Sequence, residues 1–291
     1  TTTDNTFKMP AGNVTVTATF KWKYPYLGNK ASTEAKEVGD IVFNDGSAIA
    51  YSSELLLTDE QKEAAIAVIF YVGTGSATIG SNENILGEKT LGVGLNTADG
   101  LIWAPYDTTG NSTDFIAIQS SVEKSEPNGK IYYKTMDWGE NVYYPLYISG
   151  DFDGSDNWSV ICSVDSTGSE DAETNYPAFN WANKYGEIFS IPENYKNGWY
   201  IPTITELFIL RSNITAVNNA LATVGKTKFD NVFWSSNQCA RDLSKYNVQA
   251  ANYSEILFVS ESSNTYNSQE SRKGYGSDPR YYNCTCTVHV F

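Results

Sequence analysis

Polar and apolar residues alternate strictly over residues 14–20, "VTVTATF", which predicts a half-exposed β-strand. The stretch "VGDIVFNDGSAIAY" (38–51) predicts a strand, a turn at Asp45-Gly46 and a returning strand. "TDEQ" at 58–61 fits a capping box: Thr58 accepts from the backbone three residues on, and Gln61 reaches back. A short helix follows, and then "IAVIFYV" (66–72), an apolar and β-branched run that predicts a buried strand. "LGVGL" (91–95) and "LIWA" (101–104) predict further strands.

Residues 106–130 and 149–175 are long, polar and rich in Gly, Ser and Asp, and they are expected to be surface loops. "YPAFNWANKYG" (176–186) predicts a helix with Pro177 in its first turn and Gly186 as its stop. In "GWYIPTITELFIL" (198–210), Thr203 and Glu206 form a second capping box, and Leu207 and Leu210 share one face of the helix it opens. "ITAVNNALATVG" (214–225) predicts a helix ended by Gly225. "FDNVFWSSNQ", "EILFV" and the terminal "CTCTVHVF" predict strands. Alternation along the last places Cys284, Cys286, Val288 and Val290 on one face and Thr285, Thr287 and His289 on the other.

Just before that strand stands "SSNTYNSQESRKGYGSDPRYYN", residues 262–283. Its 22 residues include no Ala, Val, Ile, Leu, Met, Phe or Trp, yet four are Tyr, five Ser and three Asn. Tyrosine provides a large, stiff, amphipathic surface at low conformational cost, so this mixture matches the chemistry of recognition loops. Twenty tyrosines in 291 residues make the same point for the whole chain.

Charge and ligand-forming residues narrow the function classes. A net charge of −14 repels phosphate backbones, so nucleic acid is not an expected partner. No run of 18 apolar residues is present to span a membrane as a helix. Cys162, Cys239, Cys284 and Cys286 form no CxxC pair, and His289 is the single histidine, so no cofactor, metal site or catalytic residue is predicted. The acidic "DFDGSDN" (151–157) lacks the spacing of an EF-hand loop, and "EPN" (126–128) is too short to define a calcium site.

"NGWYIPTITEL" resembles the "GWRLPTxAEW" signature of C-type-lectin-like domains related to the formylglycine-generating enzyme. "VFWSS", followed by a polar stretch, a short strand and a closing strand, is similar to the end of such domains. With "VGDIVFNDGSAIAY", the likeness covers residues 38–291 and resembles the variable proteins of diversity-generating retroelements, the treponeme member above all. It implies an α+β, C-type-lectin-like fold with antiparallel sheets, a few short helices and long loops. "FKMPAGNVTVTATF" resembles the closing strand of a small bacterial surface repeat, so residues 1–22 are expected to be part of such a repeat and 23–37 a linker.

The resemblance also implies a function. In such systems template adenines are mutated, and codons of the form AAY can yield Asn, Ser, Thr, Tyr, Asp, Gly and Arg but not Lys, Glu, Gln, Met or Trp. Asn237, Arg241, Asp242, Tyr246, Asn247 and Tyr253 are then candidate ligand contacts, as are Ser263, Asn264, Tyr266, Asn267, Tyr275, Asp278, Arg280, Tyr281 and Tyr282. Lys245, Glu255, Glu261, Gln269, Glu270 and Lys273 are expected to be fixed. The implied protein is a non-enzymatic, monomeric binder of a protein or cell-surface ligand. It would be exported and held at the cell surface by an N-terminal lipid outside this segment. Two alternatives are an enzyme of the formylglycine-generating type, which would need reactive cysteines near the C-terminus, and an invariant structural or adhesin component.

Overall fold

The computed structural model describes Gly12 and residues 24–73, 86–123, 131–137, 142–240, 253–261, 268–274 and 283–291. The strand predicted at 14–20 and the "EPN" tripeptide lie outside those residues. Over them the chain is a mixed α+β structure with two sheets and several helices between and beside them.

The first sheet is antiparallel throughout. The turn at Asp45-Gly46 joins β1 (Ile41–Phe43) to β2 (Ala48–Ile49), with Ile41 opposite Ile49. Thr58 and Gln61 form the expected reciprocal cap on α1 (Asp59–Ala64). β3 (Ala65–Val72) runs directly from that helix and is buried over nearly its whole length, because both its faces are covered. β4 (Thr90–Gly94) pairs with β3, and the chain's last strand pairs with β4. β5 (Ala98–Leu101) stops short of "IWA"; Trp103 instead turns inward to an aromatic cluster with Phe115, Tyr176 and Phe179.

The stretches expected to be loops contain short elements. Within 106–130 are α2 (Thr109–Ser112), a 3-10 turn (Ile116–Ile118) and β6 (Gln119–Glu123). β7 (Ile131–Asp137) and β8 (Val142–Gly150) form a hairpin beside β6. Within 149–175 are α3 (Asn157–Val164), α4 (Ser166–Glu170) and α5 (Ala172–Asn175). Asp165 and Asp171 cap the last two by accepting from the backbone N–H of Gly168 and Thr174. These short elements are fixed by local caps, as in α4 and α5, and by single inward residues such as Phe115, Ile118 and Ile161, which leave little helical period to read.

α6 (Pro177–Asn183) begins at the expected proline but ends before Gly186, which lies inside a separate turn, α7 (Tyr185–Ile188). α8 (Glu193–Lys196) leads to the Gly-Trp signature. α9 (Ile204–Ser212) carries the second capping box, and α10 (Ile214–Val224) ends on Gly225 at φ +82°, a left-handed cap. α9 and α10 lay Leu207, Leu210, Val217 and Leu221 into the main core, against Phe70, Leu91 and Leu257.

The second sheet is mixed. β9 (Asn231–Cys239) lies at its centre, antiparallel to β10 (Tyr253–Val259) and parallel to β6. β11 (Ser268–Arg272) is the edge beyond β10. The terminal "CTCTVHVF" is two strands, β12 (Asn283–Thr285) and β13 (Val288–Val290), which join different sheets. The predicted two-faced alternation therefore fails: Thr285 and Thr287 are fully buried with the cysteines, whereas Val290 is exposed. The expected linker is also tied down at its middle. Lys30 pairs its backbone with Ala48 and its ammonium with Asp40, at 2.7 Å. Among the described residues no helix is long and apolar enough to cross a membrane.

Candidate binding site

Thirteen of the fifteen candidate contacts lie outside the described residues: Arg241, Asp242, Tyr246, Asn247, Ser263, Asn264, Tyr266, Asn267, Tyr275, Asp278, Arg280, Tyr281 and Tyr282. What the structure defines is the frame from which their segments depart. β9 ends at Cys239 and β10 starts at Tyr253, so residues 241–252 leave and return at one end of the sheet. Tyr253 is opposite Arg272, so residues 275–282 leave β11 at that same end. The anchor points of 262–267 are at the other end, beside Val259 and Ser268, about 20 Å away along a seven-residue strand. The frame thus brings two of the three segments together at their points of departure.

The two candidates that are described differ in kind. Tyr253 is half-buried at the sheet end, and its hydroxyl accepts from Arg272 Nε at 3.0 Å. Asn237 is not a surface residue: it is fully buried. Its Oδ1 accepts from the backbone N–H of Ile204 at 2.7 Å, and its Nδ2 donates to Ile118 O and to the Asp151 carboxylate at 3.2 and 3.1 Å. It ties α9, the 3-10 turn and the turn after β8 to the central strand. The resemblance would allow it to vary, but a buried amide with all these partners is costly to change.

The residues around the central strand make several buried polar contacts. Asp151, in the acidic 151–157 stretch, also accepts from Asn157 Nδ2 at 2.9 Å, and burial raises its carboxyl above the ordinary range. Gln238 accepts from Phe115 N and donates to Asp114. In the Gly-Trp signature, Trp199 is buried and donates to Tyr195 O, and Pro202 O accepts from Ser236 N. Glu206 caps α9 through Thr203 N at 2.7 Å and accepts from the Tyr200 hydroxyl at 2.8 Å. Burial pushes its carboxyl up to about 7 despite those bonds.

Lys273, expected to be fixed, is fully buried with its ammonium against the rings of Trp103 and Phe115. Sequence reasoning gave it no site role, because a lysine in a polar stretch reads as exposed. Burial lowers its pKa well below the usual range, with Asp114 opposing. Glu255 is likewise buried, whereas Glu261 is exposed and pairs with Lys228.

Neither the cysteines nor the histidine forms a reactive arrangement among the described residues. Cys284 donates to Asp99 Oδ1 at 2.7 Å, and burial with that carboxylate pushes its thiol up to about 12; burial raises Cys286 as well. His289 packs its ring on Trp199 and Phe291, and its Nε2 contacts Asn197 O at 3.0 Å. No group of three or more potential ligands is placed for a metal among the described residues. In the folded protein at pH 8, a thiol reagent is expected to label half-buried Cys162 first. Cys239, Cys284 and Cys286 should react at least tenfold more slowly until denaturant is added. Prompt labelling of Cys284 or Cys286 would show a reactive pair. Comparison with protein-family models, with curated proteins and with solved structures found no match.

Proposed function

We propose that the chain is a non-enzymatic, surface-displayed binding protein. Its C-type-lectin-like domain presents C-terminal segments diversified by a retroelement. The observation that carries the reading is the aliphatic-free, tyrosine-, serine- and asparagine-rich composition of residues 262–283, inserted in a frame whose neighbouring residues are buried and bonded. Irregular segments on a rigid scaffold bind with little ordering cost and tolerate substitution without loss of the fold. The anchor residues Cys239, Tyr253 and Arg272, from which the 241–252 and 275–282 segments leave, lie at one end of the β9–β10–β11 ladder, which supports a joint recognition surface. The raised thiols of Cys284 and Cys286 weigh against thiol chemistry of the formylglycine-generating type. The partner is a protein or other cell-surface ligand recognised by aromatic and polar side chains, with a few anchors dominating affinity. The protein acts as a monomer, exported and lipid-anchored at the cell surface.

A site meant to vary must be energetically separate from the core. Changing Tyr266, Tyr275, Tyr281 and Tyr282 together to alanine should therefore leave cooperative unfolding intact, at about ±0.5 kcal/mol for each residue. The same variant should lose binding to a ligand isolated with the parent protein, Tyr281→Ala alone by about 2 kcal/mol if it is an anchor. A melting temperature lowered by about 15 °C or more would place these tyrosines in the core and defeat the reading.

A further inference from the structure

We propose that Lys273 is the positioning residue of the binding face: its ammonium, held by the loop at 110–115 and by Gln238, fixes the register of β11 and the point from which residues 275–282 depart. This rests on the binding function proposed above. β11 is an edge strand whose sequence, Ser-Gln-Glu-Ser-Arg, contains no apolar residue. A strand polar in sequence on both sides has weakly specified register, and a slip of one residue turns every side chain over. Residues 275–282 continue from it, so their presentation depends on a lock that the strand itself does not contain.

The chain carries that lock in the next two residues. Lys273 Nζ donates to Gly110 O, Thr113 O and Gln238 Oε1 at 3.1, 3.3 and 3.2 Å, three acceptors that match the three N–H bonds of an ammonium. It lies 4.4 Å from the Trp103 ring centre and 4.7 Å from that of Phe115, both favourable to a cation. The backbone is held too. Lys273 O accepts from Ala104 N at 3.1 Å, and Asn111 Nδ2 donates to Gly274 O at 3.1 Å and to Ala104 O at 2.8 Å. A Cβ on Gly274 would come within 2.7 Å of Ala104 O, so the strand end seats where only glycine fits. Filling the aromatic pocket does not require a charge, since an apolar side chain of similar volume would avoid the desolvation cost. What the ammonium adds is directional attachment to the loop and to β9.

The test compares Lys273→Met and Asn111→Ala with the parent chain by amide hydrogen exchange, and compares binding libraries built on each background. Both variants should speed exchange of the β11 amides and of Ala104, at least tenfold for Lys273→Met, and leave α9 and β3 unchanged. Libraries randomised at Tyr275, Asp278, Arg280, Tyr281 and Tyr282 would be panned against one panel of purified proteins. Those on the Lys273→Met background should yield binders at least tenfold weaker. Unchanged exchange in β11 and at Ala104 would overturn the proposal, and so would acceleration spread equally over α9 and β3, which makes Lys273 an ordinary core residue. Equal affinities from both libraries would also overturn it. If the parent library yields no binder, the binding reading fails, and the exchange result alone decides the role of Lys273.

Discussion

Replacing Trp234 with alanine is expected to lower stability by about 3–5 kcal/mol, the usual cost of deleting a large core side chain. Trp234 is fully buried on the central strand β9, opposite Ile256, and packs in the cluster that holds Trp103, Phe115 and Phe179. Its indole N–H donates to Leu101 O at 2.9 Å, so truncation leaves both a cavity and an orphaned carbonyl. Denaturant unfolding would read the loss as a lower midpoint with little change in slope. Any loss of binding should follow the unfolded fraction. A variant that folds normally yet fails to bind would move Trp234 from the frame to the binding face.

The second large effect is a pH dependence set by Glu206. Its carboxyl titrates near 4.5 when unfolded and is raised by burial to about 7 in the folded protein. The folded state therefore holds the proton more tightly. The associated stability is fully present below about pH 4.5 and is lost as pH rises through 7. From pH 5 to pH 8 the loss attributable to this residue should be about 2 to 3 kcal/mol. Glu206→Gln should abolish that share of the slope and keep the cap, because Gln61 already performs the same reciprocal capping on α1. Asp151, also raised by burial, contributes with the same sign, so the difference between parent and variant is the quantity to measure. An identical slope in both proteins would mean that Glu206 is ionised in the folded state across this range.

Elements with local signatures were legible in the chain. The caps at Thr58 and Thr203, the buried run at 66–72, the Asp45-Gly46 turn and the stop at Gly225 each depend on neighbours within a few residues. What was illegible depends on tertiary contact. The short helices α2 to α5 were not marked in the sequence: α4 and α5 are held by the Asp165 and Asp171 caps, whereas α2 and α3 have no side-chain cap and depend on their tertiary surroundings. "CTCTVHVF" alternates in sequence, but its two halves join different sheets, and both faces are covered at Thr285 and Thr287. Asn237 and Lys273 are the sharpest cases. Both are polar residues in or beside polar stretches, and both are buried by partners more than 30 residues away in sequence. No pattern along the chain distinguishes them from exposed contacts.

The measurement that tests the account most directly is sequencing of the gene's 3′ end, with its flanking DNA, in several isolates. The account predicts a near-copy of that end beside a reverse-transcriptase gene, differing at adenines. It also predicts substitutions concentrated at positions such as Arg241, Asp242, Tyr246, Tyr275, Arg280, Tyr281 and Tyr282. Trp234, Asn237, Glu206 and Lys273 should be constant. Substitutions spread evenly over residues 38–291, or concentrated on those four buried side chains, would contradict it.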